Sequence, residues 1–482
     1  MTASSAPPLL LPEDDSEWAV LHRLADRLRE LSYNEEQVAK GMGIADIATR
    51  NISAWPAHVR SARRQREQNP AAILGAFFLM EEQLEEKELR HLLGDDAFDL
   101  LLTIRWIAAY GDKFFFRYYL YPALDSFLLT DGHQSNPDQL DQVYALGPDS
   151  YTLTRLAPRF QVGASLDHCT GSGVQAVLGA AHAERAFGLD INPRALAFSR
   201  LNANWNRRSG LNFLESDCYT NVNPQTTGLQ PCRFDLITAN PPFVPTPDVI
   251  ALFRGGGVSG EDVTERIVHG VPEKLTEDGV FSMVTQMPLM KDVTFFQRCE
   301  SWLASDETWS IVVLNHHLAS PAAYIQGHLG AQPPGQYGKT FEKWLDAYDS
   351  VGMLGVTSSQ IFVFRSAYPW RIDRAFSYSS TAVSSQIEAY IKTLRACYDG
   401  SSARFGLNAG IETVIWSEGR SRVYVEWQQD HRWWEPQGVW LDGEAAQVMN
   451  LVSKAEDGVR FQDCEAAGLR ELISGGVLTL QS

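Results

Sequence analysis

Asp167, Asp190, Asp217 and Asn240 each stand at or just beyond the end of a short apolar run, followed by a turn. In Leu166-Asp167-His168-Cys169-Thr170-Gly171-Ser172-Gly173-Val174-Gln175-Ala176 the acid precedes a Gly-x-Gly turn that opens a helical pattern. Glycines belong in such a turn because a side chain would keep the backbone from approaching a ligand. Gly171, Gly173 and Ala176 also satisfy the G-x-G-x-x-G/A dinucleotide pattern, so this turn alone leaves NAD open.

Twenty-three residues after Asp167, Gly188-Leu189-Asp190-Ile191-Asn192-Pro193 places an acid where the two hydroxyls of a ribose could donate to it. Asn192-Pro193 then reads as a cap and first turn of a helix. Leu214-Glu215-Ser216-Asp217-Cys218-Tyr219 repeats the arrangement with a weaker signal, since Asp after a strand is also a common turn residue. Asp217 could receive an exocyclic amine while Cys218 packs on a ring.

Phe234-Asp235-Leu236-Ile237-Thr238-Ala239-Asn240-Pro241-Pro242-Phe243 is the most specific segment. Two prolines fix an extended turn at the carboxyl edge of a sheet. The Asn240 side-chain carbonyl and the Pro241 backbone carbonyl supply two acceptors for the N–H groups of an amine or amide. Gripping them orients the nitrogen lone pair toward an electrophile, which is catalysis by positioning. Phe243 offers a flat face for a planar group.

In these four motifs the chain resembles the class I S-adenosylmethionine-dependent methyltransferases of the N-P-P-[YF] type. That group includes the glutamine methyltransferase of peptide release factors and several RNA base-amine methyltransferases. The resemblance spans Gly163 to Arg365. It implies that S-adenosyl-L-methionine is the cofactor, with Asp167, Cys169, Gly171 and Gly173 around its methionine part. It implies Asp190 and Ile191 at the ribose, Asp217 and Cys218 at the adenine, and Asn240 with Pro241, Pro242 and Phe243 at the nitrogen to be methylated, with Asn240 also counted among the cofactor-binding residues. Cys169 and His168 replace the more usual Gly and apolar residue and read as packing variants. Phe253-Arg254-Gly255-Gly256-Gly257-Val258-Ser259-Gly260-Glu261-Asp262 resembles the group's downstream Gly-Gly loop, although Gly255 stands where an acid is common. The whole layout resembles a large bacterial three-part form of these enzymes.

The elements that must position these residues follow from periodicity. Strands are expected over Ala164–Cys169, Arg185–Asp190, Asn212–Asp217, Phe234–Ala239, Gly279–Thr285, Ser310–Asn315 and Ser359–Phe364, alternating with helices. That pattern predicts an α/β, Rossmann-like, mostly parallel sheet over residues 144–368. Residues 1–143 read as an N-terminal helical, winged-helix-like domain. Its helices are expected over Ser16–Leu31, Glu35–Ile44 and Asn69–Glu86, then a helix and one small hairpin between Leu101 and Asp131. Residues 369–482 read as a small α+β domain with a hairpin (Thr413–Trp416, Arg422–Trp427) and helices near Glu444–Ala455 and Gln462–Ile473.

With 482 residues, 44% hydrophobic and 21% charged, the chain is ordinary globular material. No apolar run reaches the length of a membrane helix and the first residues lack a basic leader, so a cytoplasmic protein is expected. The six cysteines include no C-x-x-C pair, and no cluster has metal-ligand spacing. A net charge of −18 opposes a phosphate backbone. Arg60, Arg63, Arg64 and Arg66 form one local basic cluster, read as a solvated helix face. The aromatic run Lys113–Tyr121 and the cluster of Trp427, His431, Trp433 and Trp434 could stack planar groups or fill cores. His316-His317 reads as a surface pair.

The expected activity is N-methyl transfer to an amide or amine of a protein, peptide or small molecule. Two alternatives remain: methylation of a base amine in RNA, and a non-enzymatic protein that binds cofactor or nucleic acid in a regulatory role.

Overall fold

The computed structural model describes residues 8–49, 54–132, 141–248, 253–303, 309–329, 333, 335–376, 383–398, 401–409, 411–417, 422–427, 438–455 and 457–481. The chain forms two compact units, residues 1–154 with 161–267, and residues 155–160 with 268–482.

The first unit opens with helices over Asp15–Glu30, Glu35–Met42, Trp55–Gln65, Pro70–Leu79, Glu86–Leu93 and Asp95–Thr103. Asp14 caps the first, accepting from the amides of Ser16 and Glu17, and Leu21, Leu24, Ala25 and Leu28 form its buried stripe. The helix expected over Asn69–Glu86 stops at Leu79. Glu81 takes a positive φ of 54°, which ends the helical path, and Leu84–Glu85 becomes a short strand before the next helix starts. The expected hairpin is Ile107–Tyr110 with Lys113–Phe116, turning at Gly111, and Leu84–Glu85 pairs beside it as a third strand.

A second hairpin, Tyr118–Ala123 with Ser126–Asp131, departs from the single one expected, because its two strands are buried on both faces and show no alternation. Phe116 and Tyr118 to Tyr121 are accordingly core residues. In the arginine cluster, Arg63 pairs with Glu82 and Arg66 with Glu88.

Seven further elements carry the candidate site: helix α1 (Pro148–Leu156), strand β1 (Val162–His168), helix α2 (Val174–Gly179), strand β2 (Ala183–Asp190), helix α3 (Pro193–Trp205), and strands β3 (Leu211–Glu215) and β4 (Phe234–Ala239), with the loop beyond β4. The strands lie in the order β3-β2-β1-β4, all parallel, so β1 is flanked on both sides. In that register Asp167 stands opposite Gly188 and Thr238, and Asp190 opposite Glu215. All four chemistry-bearing segments therefore leave the same edge of the sheet.

Helix α3 also holds the second hairpin. The Asn202 side chain accepts from the Leu129 amide at 2.8 Å and donates to the Leu129 carbonyl at 2.9 Å. Asn206 does the same with Phe127, at 2.8 Å and 2.7 Å. A further bond from Asn202 reaches the Ser172 carbonyl at 2.8 Å, in the Gly-x-Gly turn.

In the second unit, β5 (Leu275–Met290), β6 (Trp309–Ala319), β7 (Met353–Arg365) and β8 (Arg371–Ala375) lie in the order β5-β7-β6-β8. Strand β7 runs antiparallel to both neighbours, and β8 is parallel to β6. These strands outrun the expected ranges because polar residues just beyond those ranges, such as Gln286, His317, Thr357 and Ser358, break the apolar runs that mark a strand in sequence. His316 sits at a register shift in β6, half-buried, with Nδ1 3.2 Å from the Phe376 carbonyl, while His317 is exposed.

The C-terminal stretch contains helices Ser384–Ala396, Gly443–Val452 and Ala466–Ser474. The hairpin Ile411–Trp416 with Val423–Trp427 gains a third strand, Gly438–Leu441. Trp427 is buried; His431, Trp433 and Trp434 lie outside the described residues. Among the described residues no helix is long and apolar enough to cross a membrane.

Candidate active site

The turn after β1 is built from three successive departures from ordinary backbone. Cys169, Gly171 and Gly173 have φ of 52°, 56° and 84°. A cysteine in the left-handed region is strained by about 1–2 kcal/mol where glycine would not be. Gly173 has no alternative, since a β-carbon there would press on the Ser199 backbone at 3.0 Å. Gly171 differs: its missing β-carbon leaves open space, with only the Cys169 carbonyl 3.9 Å away. The turn is thus tight against α3 on one side and vacant on the other.

Asp167 is buried, and its carboxylate accepts from the hydroxyls of Thr170 at 2.6 Å and Thr238 at 2.8 Å. Burial pushes its pKa up to about 7, against the pull of those two donors, and nearby Asp190 adds to the rise. Asp190 spans two amides, Gly171 N–H and Asn192 N–H, each at 2.9 Å. Its carboxyl is also raised, chiefly by burial. Beside it Ile191 is 47% exposed, an apolar side chain left facing water at the strand's end. Burial also raises the Cys169 and Cys218 thiols, so neither is a ready thiolate.

Asp217 lies at the end of β3 and is exposed, with Arg266 in an ion pair at 2.6 Å. His168 is buried with its Nε2 atom unpartnered, its ring edge-on to Tyr219 at 4.2 Å between centroids.

Asn240 follows β4. Its Nδ2 donates to Asp149 Oδ2 at 2.7 Å, with the Ser150 hydroxyl at 3.5 Å. Asp149 Oδ1 accepts from the Tyr144 hydroxyl at 3.0 Å. Burial raises the Asp149 carboxyl, while the bonds from Asn240 and Tyr144 favour its ionised form. Because Nδ2 is committed, the Asn240 Oδ1 atom is the acceptor left for a ligand.

The glycine loop braces the segment beyond Asn240. Val244 accepts from the Gly256 amide at 3.0 Å and donates to the Arg254 carbonyl at 2.9 Å. Thr246 donates to Gly257 at 2.8 Å. A β-carbon on Gly260 would fall on the Phe243 carbonyl and the Pro245 ring, so the two segments meet only because that position is glycine.

The structure pairs Asp167 with the Thr170 hydroxyl and Asp190 with the neighbouring Gly171 amide, and sets Asn240 at the end of the adjacent strand. Asp217, just beyond β3 and paired with Arg266, acts on the Cys169 thiol together with Asp190 and Asp167. Sequence reasoning missed Tyr144, Asp149 and Ser150, which precede the first strand, and the two hydroxyls on Asp167. The only signal was Gly147-Pro148-Asp149-Ser150, an ordinary helix start.

Residues 150–312 match the family model described as "Methyltransferase small domain". A ribosomal protein uL3 glutamine methyltransferase from Bradyrhizobium diazoefficiens is 35% identical over 126 residues, covering 24% of this chain and 38% of the relative. Mouse methyltransferase HEMK2 is 32% identical over 173 residues, covering 34% of this chain and 70% of the relative.

The chain belongs to the class I S-adenosylmethionine-dependent methyltransferases.

This methyltransferase therefore takes S-adenosyl-L-methionine, and NAD, which the Gly-x-Gly turn left open, is set aside. Of solved structures, a ribosomal protein L11 methylase from Lactobacillus delbrueckii subsp. bulgaricus aligns over 42% of the methyltransferase and 70% of its own chain. It is 14% identical, with a TM-score of 0.23. The chain spans well under half of the uL3 enzyme's length.

The residues present fit the cofactor. At the ends of β1 and β2 the structure leaves open space beside Gly171, places the Asp190 carboxylate, and exposes the apolar Ile191. That combination suits a cationic amino-acid tail, a ribose and a flat base.

Proposed function

We propose that the enzyme methylates the side-chain amide nitrogen of glutamine in a protein. The observation that carries this reading is Asn240 at the end of β4, its Nδ2 held by Asp149 and its Oδ1 left to accept from an incoming N–H. Support comes from the relative that acts on a glutamine of ribosomal protein uL3.

In this reading Asp167, Cys169, Gly171 and Gly173 surround the methionine part, Asp190 and Ile191 the ribose, and Asp217 and Cys218 the adenine. Bound S-adenosylmethionine supplies a methyl carbon already activated by its sulfonium. Asn240 Oδ1 and the Pro241 carbonyl accept from the two N–H bonds of the amide, turning its lone pair out of conjugation and toward that carbon. Pro242 keeps the turn extended, and Phe243 covers the planar amide. The chemistry is assigned to residues 144–368, with 1–143 and 369–482 as flanking domains.

The test is incubation of the full chain with methyl-labelled cofactor and either ribosomal protein uL3 or a glutamine-containing peptide. N5-methylglutamine recovered by mass spectrometry is the expected product. Label that follows RNA from a cell extract, with protein unlabelled, overturns the reading.

A further inference from the structure

An asparagine amide has two nearly isosteric orientations, and only one of them serves this reaction. With oxygen toward the acceptor it takes an N–H; with nitrogen toward the acceptor it repels one. Something must choose between them.

A carboxylate can only accept hydrogen bonds when ionised, so a carboxylate beside Asn240 selects the orientation whose NH2 faces it. Asp149 is 2.7 Å from Nδ2 through one oxygen, and its other oxygen is taken by the Tyr144 hydroxyl at 3.0 Å. The Tyr144 ring is fixed in turn against Phe253, stacked at 5.2 Å and 25°. Between Tyr144 and Asp149 the chain passes through Gly147, where a β-carbon would collide with both the hydroxyl and the carboxylate. Glycine at that position is what allows the tyrosine to fold back onto the acid.

We propose that Tyr144 and Asp149 form a clamp that holds the Asn240 amide in its oxygen-outward orientation, making both of them positioning residues for methyl transfer. The proposal rests on the reading of Asn240 as the acceptor-binding residue. Asp149 acts through Asn240: it holds Nδ2 at 2.7 Å, against 3.5 Å for the Ser150 hydroxyl on the same side. With Nδ2 donating to Asp149 Oδ2, Asn240 Oδ1 remains as the acceptor, so the incoming nitrogen meets a preformed site.

Two readouts test this, one of them free of any acceptor. In the full chain labelled with nitrogen-15, hydrogen exchange of the Asn240 side-chain NH2 is expected to accelerate about tenfold or more in Asp149→Ala. Binding of S-adenosylhomocysteine should stay within about twofold by calorimetry, because Asp149 touches none of the cofactor cradle. With a glutamine-containing peptide, kcat of Asp149→Ala should fall about tenfold or more at unchanged cofactor KM. In an Asn240→Ala background the same change should add nothing, since the amide it orients is gone.

Tyr144→Phe keeps the ring against Phe253 and removes only the hydroxyl. A several-fold fall in kcat is expected even if Asp149→Ala does not fold. Unchanged exchange in Asp149→Ala, full additivity with Asn240→Ala, or wild-type kcat in Tyr144→Phe would each overturn the clamp. If the wild type methylates no peptide, the acceptor reading fails while the exchange experiment still decides the clamp.

Discussion

The Asp190 carboxylate accepts a 2.9 Å hydrogen bond from the Gly171 amide, tying the ends of two adjacent strands together. Its other oxygen takes the Asn192 amide at the start of α3. Asp190 therefore has a structural task as well as the ribose task assigned to it. Asp190→Ala is expected to weaken S-adenosylhomocysteine binding by about 1–3 kcal/mol and to lower the thermal midpoint, because two amides lose their acceptor. Calorimetry and thermal melts measure the two effects. Undiminished affinity in a folded variant would reduce Asp190 to a strand cap.

Asn240→Ala removes one of two acceptors for the incoming nitrogen. The variant should fold and keep much of its cofactor affinity while turnover falls about a hundredfold, equivalent to roughly 2–4 kcal/mol of barrier. Steady-state kinetics with the glutamine peptide measures it. Near-normal kcat would make the Asn-Pro-Pro-Phe turn a structural feature and end the N-methylation reading.

Asp167 gives the enzyme a pH dependence. Its folded pKa, about 7, lies above the unfolded carboxyl, so the native state holds a proton between roughly pH 4 and 7. Its contribution to stability is present at low pH and is lost as pH rises through 7. A cationic ligand prefers the ionised acid, so affinity for S-adenosylmethionine should rise as pH climbs toward 7 and level off above it. Calorimetry from about pH 5.5 to 8 in two buffers, bracketing the transition, should show proton release on binding. Flat affinity across that range would contradict it.

His168 is a misfit in an apolar place. Its folded pKa is lowered to about 3 by burial, so the native state keeps it neutral while the unfolded chain protonates it below about 6.5. Stability is therefore lost as pH falls through 6.5, by up to about 1.4 kcal/mol per unit from this group. His168→Leu removes an unpartnered buried nitrogen and that slope together. It should raise stability at neutral pH by about 1–2 kcal/mol and flatten the acid limb of the denaturation curve. A destabilised variant with the same acid limb would show that the nitrogen is satisfied in solution.

The parallel strands were legible because each is a short apolar run ending in an acid or asparagine, and β4 was read at its full extent, Phe234–Ala239. Strands β5 and β7 were read short because Gln286, Thr357 and Ser358 look like loop residues until the sheet neighbours are known. Cofactor-side acids were readable from the turns that follow them. The Tyr144–Asp149 contact was not, because folding back over Gly147 depends on backbone geometry that a Gly-Pro-Asp string shares with many plain helix starts. Arg266, 49 positions after Asp217, gave no warning of its ion pair with that acid.

The pairing of Asn202 and Asn206 with Leu129 and Phe127 has a consequence for how the gene can be cut. A two-stranded hairpin has open edges, and open edges recruit foreign strands. Here two side-chain amides of α3 stand in for the missing neighbour and quench one edge. A fragment beginning after residue 143 would lose the hairpin, strand both amides in a buried setting, and slacken the hold of Asn202 on the Ser172 carbonyl. The N-terminal segment is thus no removable cassette: the catalytic sheet and its flanking helices are inherited, expressed and lost as one piece.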